Sequence, residues 1–223
     1  MKIAILGSTG FLGKVLLKKA LDGGYQIRTL VRTPDKLGEF KDSVEFIQGS
    51  IVEVDDLEET VRGTEAVLST VGPPQRNPGK PELYEKAMED LVAVLESQNI
   101  KRLIHTGGAA HLGGENENWD MRRRLLRLFL ILVAKPILVA KQLEWEVLKK
   151  SDLDWTLVRP PRITEGELTR NVLADEKNLA GMQVNVEDLA SFMLEQITSK
   201  KWIKKAPLVA SGSKKLGTDI SKR

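Results

Sequence analysis

Three glycines, Gly7, Gly10 and Gly13, stand between a short apolar run and a stretch with helical periodicity. Glycine has no side chain to keep an anion at a distance, and the first turn of a helix offers unpaired backbone N–H groups and the positive end of the helix dipole. The spacing therefore predicts a phosphate-binding turn. The prediction includes the residues between the glycines, with both hydroxyls facing the ligand: Ser8, Thr9, Phe11 and Leu12. The alternative is a tight turn that binds nothing.

The context of the glycines favours a dinucleotide as the ligand. Residues 2–22 have the pattern of a strand, a loop and a helix, which is the arrangement that holds a pyrophosphate at a helix N-terminus. The spacing Gly-x-x-Gly-x-x-Gly differs from the commoner Gly-x-Gly-x-x-Gly. We therefore expect the loop to bind the pyrophosphate of a dinucleotide.

Composition narrows the class of protein. A chain of 223 residues with 41% hydrophobic content fits one α/β domain. The absence of cysteine excludes disulfides and thiolate metal sites, and two histidines without a nearby partner motif argue against zinc. The sequence has no apolar leader and no apolar run long enough to span a membrane, which predicts a soluble cytoplasmic protein without a membrane span. The net charge of only +3 predicts that it does not bind nucleic acid.

Short apolar runs alternate with amphipathic patterns, which predicts a doubly wound parallel sheet, the Rossmann fold. Strands are expected over residues 3–6, 26–32, 44–48, 66–71, 102–106, 154–159 and 206–210. Helices are expected from residue 11 and over residues 55–62, 81–98, 137–150 and 187–198. The prediction is a single domain over residues 1–210 with a small C-terminal portion on the substrate side, and a disordered tail over residues 211–223.

The end of the second strand selects the cofactor in a fold of this kind. An acidic residue there binds the 2′-hydroxyl of NAD, whereas an arginine accommodates the 2′-phosphate of NADP. Here the position holds Arg32, and Lys36 lies one helical turn away as a second cation. The sequence therefore predicts NADP, and the alternative for Arg32 is a solvated side chain.

Residues that follow the other strands complete the predicted cofactor site, because ligands of open parallel sheets bind outside the carboxyl ends of the strands. Ser50 and Ile51 are expected to flank the adenine. The remaining positions are expected to contribute mainly backbone contacts: Val71, Gly72, Pro73, Thr106, Gly107 and Pro160. The alternative for each is an ordinary loop.

Four segments resemble the atypical branch of the short-chain dehydrogenase/reductase superfamily, the NAD(P)H-binding, NmrA-like group that includes flavin reductase (biliverdin reductase B). They are GSTGFLG at 7–13, LVRTPDKL at 30–37, SDLDWTLVRP at 151–160 and VEDLASFML at 186–194. They occur in the order found in the family and span nearly the whole chain. The resemblance implies the Rossmann fold and NADP, and says less about the substrate.

The sequence departs from the superfamily at the catalytic pair Tyr-x-x-x-Lys. Lys141 matches the lysine that holds the nicotinamide ribose, but Ile137 stands where the tyrosine is expected. The chain's tyrosines, Tyr25 and Tyr84, both lie in the cofactor half. Carbonyl reduction needs a proton for the developing alkoxide, so the departure weakens an alcohol dehydrogenase reaction. The alternative for Lys141 is a solvated lysine.

Without a tyrosine, the sequence favours hydride transfer from NADPH to a planar acceptor such as a flavin or a quinone. Such acceptors delocalise the incoming charge and do not need a proton from the protein. The rival hypothesis is a non-catalytic NADP-binding sensor or assembly protein with a regulatory protein partner. An isomerase or epimerase is disfavoured by the missing tyrosine and the short C-terminal half. A homo-oligomer is also considered.

An arginine-rich apolar stretch over residues 121–134 has two interpretations. As a basic amphipathic segment it would bind a membrane surface or an anionic partner. Its apolar residues cover nearly all faces of a helix, so we expect it to be buried in the core or a subunit interface, or to form a lid.

Overall fold

The structure is a computed structural model that describes residues 1–73, 79–110 and 117–212. The strands are β1 (Lys2–Leu6), β2 (Gln26–Val31), β3 (Glu45–Gln48), β4 (Ala66–Ser69), β5 (Arg102–Thr106), β6 (Asp154–Val158), β7 (Ile163–Thr164), β8 (Val172–Asp175), β9 (Val184–Asn185) and β10 (Leu208–Ser211). The helices are α1 (Phe11–Asp22), α2 (Val54–Val61), α3 (Pro81–Ser97), α4 (Met121–Val133), α5 (Lys135–Lys150) and α6 (Val186–Glu195).

Six parallel strands form the central sheet in the order β3-β2-β1-β4-β5-β6. Strands β2 and β3 are added on one side of β1, and strands β4, β5 and β6 are added on its other side. The direction of strand addition therefore reverses between β1 and β4. Crevices at such a reversal bind ligands in doubly wound folds. The predicted doubly wound parallel sheet is confirmed.

Alternating side chains of each strand enter two different hydrophobic layers, as the two-residue period of a strand requires. In β1, Ile3 and Ile5 pack in the layer that contains α1 and α6, whereas Ala4 and Leu6 pack in the layer with α2, α3 and α5. All four side chains are at most 1% exposed. The central strand is therefore buried on both faces, which explains its continuous apolar sequence.

Helix boundaries follow local signals in the chain. Pro81 lies in the first turn of α3, where its missing N–H costs nothing. Asn185 caps α6, and its Oδ1 accepts the backbone N–H of Asp188 at 2.7 Å. The sequence prediction missed a 3₁₀ segment over Pro34–Ser43, which is interrupted at Gly38, where φ is +59°.

The C-terminal portion is more irregular. β8 pairs with β10 in antiparallel orientation, and β7 pairs with β9 in parallel. Asp188 fastens these parts together, because its carboxylate accepts the backbone N–H groups of Thr169 and Arg170 and the hydroxyl of Ser211. Ser211 belongs to β10, so the predicted tail does not begin there; residues 213–223 lie outside the described residues.

Helix α4 contradicts the expectation of burial in the core. Most of its large apolar side chains are exposed, with Leu132 76% and Phe129 59% accessible. Its buried side chain is instead Arg123. Within residues 1–73, 79–110 and 117–212, no helix has the length and apolar character needed to cross a membrane.

Candidate cofactor site

The glycine loop after β1 requires two of its glycines for steric reasons. Gly7 has a φ of +83°, and a Cβ there would lie 2.7 Å from Thr70 Oγ1. A Cβ on Gly13 would lie 2.0 Å from the backbone oxygen of Gly7. The first turn of α1 therefore packs against the loop in a way that only glycine allows. These two glycines shape the loop, whatever it binds.

Gly10 has a different role. Its φ of −78° suits any residue, and it is exposed at the N-cap of α1. It provides no side-chain cap, and the first turn of α1 holds no acidic residue, so that turn's N–H groups are available to an anion. This end of α1 fits the pyrophosphate of a dinucleotide. Phe11 is 51% exposed beside it, whereas Leu12 is 5% exposed and packs in the core.

The prediction for the Ser8 hydroxyl is wrong. Ser8 is only 1% exposed, and its Oγ accepts a hydrogen bond from Thr29 Oγ1 at 2.7 Å inside the sheet. The hydroxyl is engaged with β2 and does not face the ligand side, so only the backbone of Ser8 remains a candidate contact. Thr9 is partly exposed.

Arg32 follows β2 directly and is exposed. Among the described residues it has no hydrogen-bond or ion-pair partner, and neither does the side chain of Lys36, which is also exposed in the 3₁₀ segment. Two cations are thus available at the carboxyl edge of the sheet beside the glycine loop. This arrangement fits a 2′-phosphate, whose binding by Arg32 stays a prediction.

Lys141 is not a solvated lysine. Its side chain is 13% exposed, and its Nζ donates to the backbone oxygen of Val71 at 3.2 Å and to that of Thr106 at 3.0 Å. Its third partner is the carboxylate of Glu144 at 2.8 Å. An ammonium group has three donors, so Lys141 joins the ends of β4 and β5 with all of them. To bind a ribose hydroxyl it must exchange one of these partners.

Glu144 extends this cluster into the core. Its Oε2 lies 3.1 Å from Nε2 of His105, and the two side chains are 4% and 1% exposed. Burial, helped by the Lys141 ammonium, lowers the pKa of His105. Burial alone would raise the pKa of Glu144, but Lys141 and the hydrogen bond from His105 outweigh it and lower that pKa. The cluster therefore holds a Lys141 ammonium, a Glu144 carboxylate and a neutral His105 that donates from Nε2.

A tyrosine does lie close to this cluster, but on α3 and not on α5. Tyr84 lines a small cavity at the carboxyl edge of the sheet together with Ile51, Val71, His105 and Glu144. Burial raises the pKa of Tyr84, and the Glu144 carboxylate raises it further. Arg32 lowers it, but this effect is weaker. The phenol is therefore neutral at physiological pH, and its charge environment includes both Glu144 of the cluster and Arg32.

The other predicted residues lie along the same edge. Ser50 donates its backbone N–H to Asp56 at 2.8 Å, in the turn before α2. Gly107 donates its N–H to Val158, and Pro160 accepts from the N–H of Ala109. These backbone bonds fix the loops after β3, β5 and β6. Gly72 lies against Lys141, where an added Cβ would be 3.0 Å from Nζ, and Pro73 follows it.

Three residues of the site were missed from sequence: Tyr84, His105 and Glu144. The sequence placed Tyr84 in the cofactor half without a role. His105 was considered only as a zinc ligand and was set aside because no partner motif stood nearby in sequence. The i,i+3 spacing of Lys141 and Glu144 was the one available signal. In the described ranges no group of three or more His, Cys, Asp or Glu side chains could hold a metal ion.

Comparison with known proteins identifies the family of the chain. A family model described as NAD(P)H-binding matches residues 7–200. Anthocyanidin reductase from Arabidopsis thaliana is 26% identical over 195 residues, which cover 75% of this chain and 57% of that protein. The photosystem II assembly factor Ycf39 from Cyanophora paradoxa is 28% identical over 106 residues, 47% of this chain and 33% of that protein. The chain thus spans only about a third to just over a half of these relatives.

Among solved structures, the anaerobilin reductase ChuY from Escherichia coli O157:H7 superposes with a TM-score of 0.76. It covers 96% of this chain and 98% of its own, at 16% sequence identity, which is a likeness of fold. The resemblance drawn from the four sequence segments is confirmed at the level of the family. Because the matched region runs from the first glycine of the loop to beyond α6, the chain belongs to the NAD(P)H-binding family.

Proposed function

We propose that the protein is an NADPH-dependent reductase that transfers hydride to a planar acceptor of the flavin or quinone type. The observation that carries the proposal is the arrangement on α5. Lys141 is held at the carboxyl ends of β4 and β5, while one turn earlier Ile137 provides no proton donor. Names of similar proteins, anthocyanidin reductase and anaerobilin reductase, support reduction as the reaction class.

In the proposed site each group has a physical task. The N-terminus of α1 holds the pyrophosphate, Arg32 the 2′-phosphate, and Lys141 the nicotinamide ribose after exchanging one backbone partner. Bound NADPH would supply the hydride. Flavins and quinones stabilise the added electron pair in their own rings, so water can deliver the accompanying proton and no protein acid is required.

The deciding experiment mixes purified protein and NADPH with a panel of flavins and quinones, and follows absorbance of the reduced nicotinamide. We expect turnover with at least one planar acceptor and none with simple ketones, which need a proton at the developing alkoxide. Turnover of ketones in preference to every planar acceptor would contradict the proposal.

A second candidate function is a non-catalytic NADP-binding sensor or assembly protein. The match to an assembly factor and the absence of a proton donor at Ile137 favour it. Tight NADPH binding without turnover of any acceptor would support this candidate, because a sensor needs the same cofactor groups and no reaction.

A further inference from the structure

Helix α4 is fixed on the protein by its arginines. Arg123 is completely buried, and its Nε donates to the backbone oxygen of Ala109 at 2.8 Å. Its guanidinium also pairs with Glu117, which in turn pairs with the buried Arg159 at 2.7 Å. A buried arginine with these partners holds one face of the helix firmly inward.

Further contacts fix the same orientation. Arg127 donates to the backbone oxygen of Ala110 at 3.0 Å, and the ring of Trp119 lies 4.0 Å from the Arg123 guanidinium and 5.4 Å from that of Arg127. Asp120 caps the helix by accepting the backbone N–H of Arg123 at 2.9 Å. The polar face of α4 is therefore the face that contacts the protein.

The opposite face is apolar and exposed. Side chains spaced three and four residues apart lie on one face of a helix, and here they form a stripe, the outer stripe, opposite Arg123. The outer stripe consists of Met121, Leu125, Leu128 and Leu132, which are 69%, 57%, 55% and 76% exposed. Phe129 and Val133, 59% and 62% exposed, extend it to one side. A contiguous apolar surface of this kind marks a binding face.

Charge indicates what covers this face. Residues 121–143 contain no acidic residue, and three exposed cations flank the outer stripe and the helix end: Arg122, Arg124 and Lys135. In a symmetric dimer built on this face, the cations of residues 121–143 in one copy would meet those of the other, with no acidic residue of the same segment to pair with them, because both copies use the same patch. An anionic lipid surface satisfies both features, since acyl chains accept the apolar stripe and headgroups pair with the cations.

We propose that α4 is an interfacial helix that docks the protein onto an anionic lipid bilayer. The outer stripe inserts at the boundary between headgroups and acyl chains, and Arg122, Arg124 and Lys135 lie among the headgroups. This site goes beyond the proposed reductase activity, and neither depends on the other.

The test is flotation of the full chain with vesicles of phosphatidylglycerol and phosphatidylcholine in equal parts, and with vesicles of phosphatidylcholine alone. We expect binding to the anionic vesicles, weakened by added salt, and about tenfold less binding to the neutral ones, because cations near an anionic surface each contribute attraction. Absence of binding to the anionic vesicles would overturn the proposal.

Two variants locate the contact. Leu128→Gln with Leu132→Gln should weaken binding to the anionic vesicles by about tenfold or more, since two apolar side chains are lost from the inserted face. Arg122→Gln should weaken it by a few-fold, about the contribution of one cation. The matched controls are Leu173→Gln, which removes a 43% exposed leucine from β8, and Lys101→Gln, which removes an exposed cation before β5. Both controls should bind as the unchanged chain does.

Circular dichroism and NADPH binding verify that each variant is folded. Equal vesicle binding by the double leucine variant and the unchanged chain would exclude α4 as the contact and overturn the proposal. The same follows if sedimentation shows a dimer that the double leucine variant abolishes, since a second copy would then cover the outer stripe.

Discussion

At the scale of single residues, Arg32 is the position at which we predict that the cofactor is selected. It is exposed at the end of β2 and has no partner among the described residues, so its guanidinium is available without breaking an internal bond. An arginine in this place matches a 2′-phosphate both in charge and in its paired donors. Its contribution can be measured by comparing two cofactors that differ only in that phosphate.

Arg32→Asp should weaken NADPH binding by about tenfold to a hundredfold, because hydrogen bonds to charged groups contribute about 1.5–3 kcal/mol. NADH binding should change little. Titration of each cofactor by nicotinamide fluorescence checks this. The control is Lys101→Asp, which makes the same charge change directly before β5, at the amino ends of the strands and away from Arg32. Equal losses for NADPH and NADH would exclude the 2′-phosphate role.

Tyr84 distinguishes two mechanisms: the proton comes either from water or from the Tyr84 hydroxyl. Tyr84→Phe removes only a hydroxyl, so we expect kcat with a quinone or flavin to change by no more than about threefold if water delivers the proton. A loss of about a hundredfold or more would instead identify Tyr84 as the proton donor, an effect of general acid catalysis of about that size. Steady-state kinetics over a range of pH gives the answer.

Lys141 must be removed together with its buried partner, since Glu144 left alone would be an uncompensated buried charge. The double variant Lys141→Met with Glu144→Gln avoids that cost. We expect KM for NADPH to rise by about tenfold, the value of one charge-assisted hydrogen bond to the ribose. Unchanged KM with a lower free energy of unfolding would show that Lys141 only joins β4 to β5.

At the scale of elements, the approach of α1 to the glycine loop depends on Gly13. An alanine there would place its Cβ 2.0 Å from the Gly7 oxygen, so either the loop or the helix must move. Such overpacking costs about 1–3 kcal/mol. The displacement would also disturb the N–H groups that we propose to bind the pyrophosphate.

We expect Gly13→Ala to lower the free energy of unfolding by that amount and to weaken NADPH binding, as measured by urea unfolding and by fluorescence titration. Gly108→Ala is the matched control, since a Cβ there meets nothing within 4 Å. Wild-type stability and affinity in Gly13→Ala would show that this contact does not shape the loop.

At the scale of the whole molecule, the buried histidine links stability to pH. The pKa of His105 is lowered in the folded state from its ordinary 6.5, so the unfolded chain binds the proton first as the pH falls. The free energy of unfolding therefore decreases below about pH 6.5. The pKa of Glu144 is also lowered, from its ordinary 4.5, so this group affects stability only below about pH 4.5. Between about pH 6.5 and pH 4.5, the change in stability is therefore assigned to His105.

Urea unfolding between pH 7 and pH 5 should show a slope of up to about 1.4 kcal/mol per pH unit, the effect of one proton. His105→Gln should lack this slope, whatever its absolute stability. His111→Gln, which removes the other histidine, should keep it. A slope that persists in His105→Gln would assign the effect to another group.

The sequence by itself determined the parallel sheet, the order in which its six strands and the helices α1, α2 and α3 follow one another, and NAD(P)H as the class of cofactor. These depend on local signals: the glycine spacing of the loop, the two-residue period of strands such as β1, the 3.6-residue period of α1 and α3, and an arginine directly after β2. Neighbours in the chain decide such features, and the printed sequence shows those neighbours.

The tertiary structure decided what depends on residues distant in sequence. His105 and Glu144, 39 positions apart, meet only because α5 packs against the sheet, and the same packing brings Lys141 to the ends of β4 and β5. Ser8 turns inward because Thr29 lies beside it on β2. The apolar residues of α4 face outward because Glu117 binds Arg123 from inside. Hydrophobicity alone predicts burial, and only the positions of such partners determine which face of an element is buried.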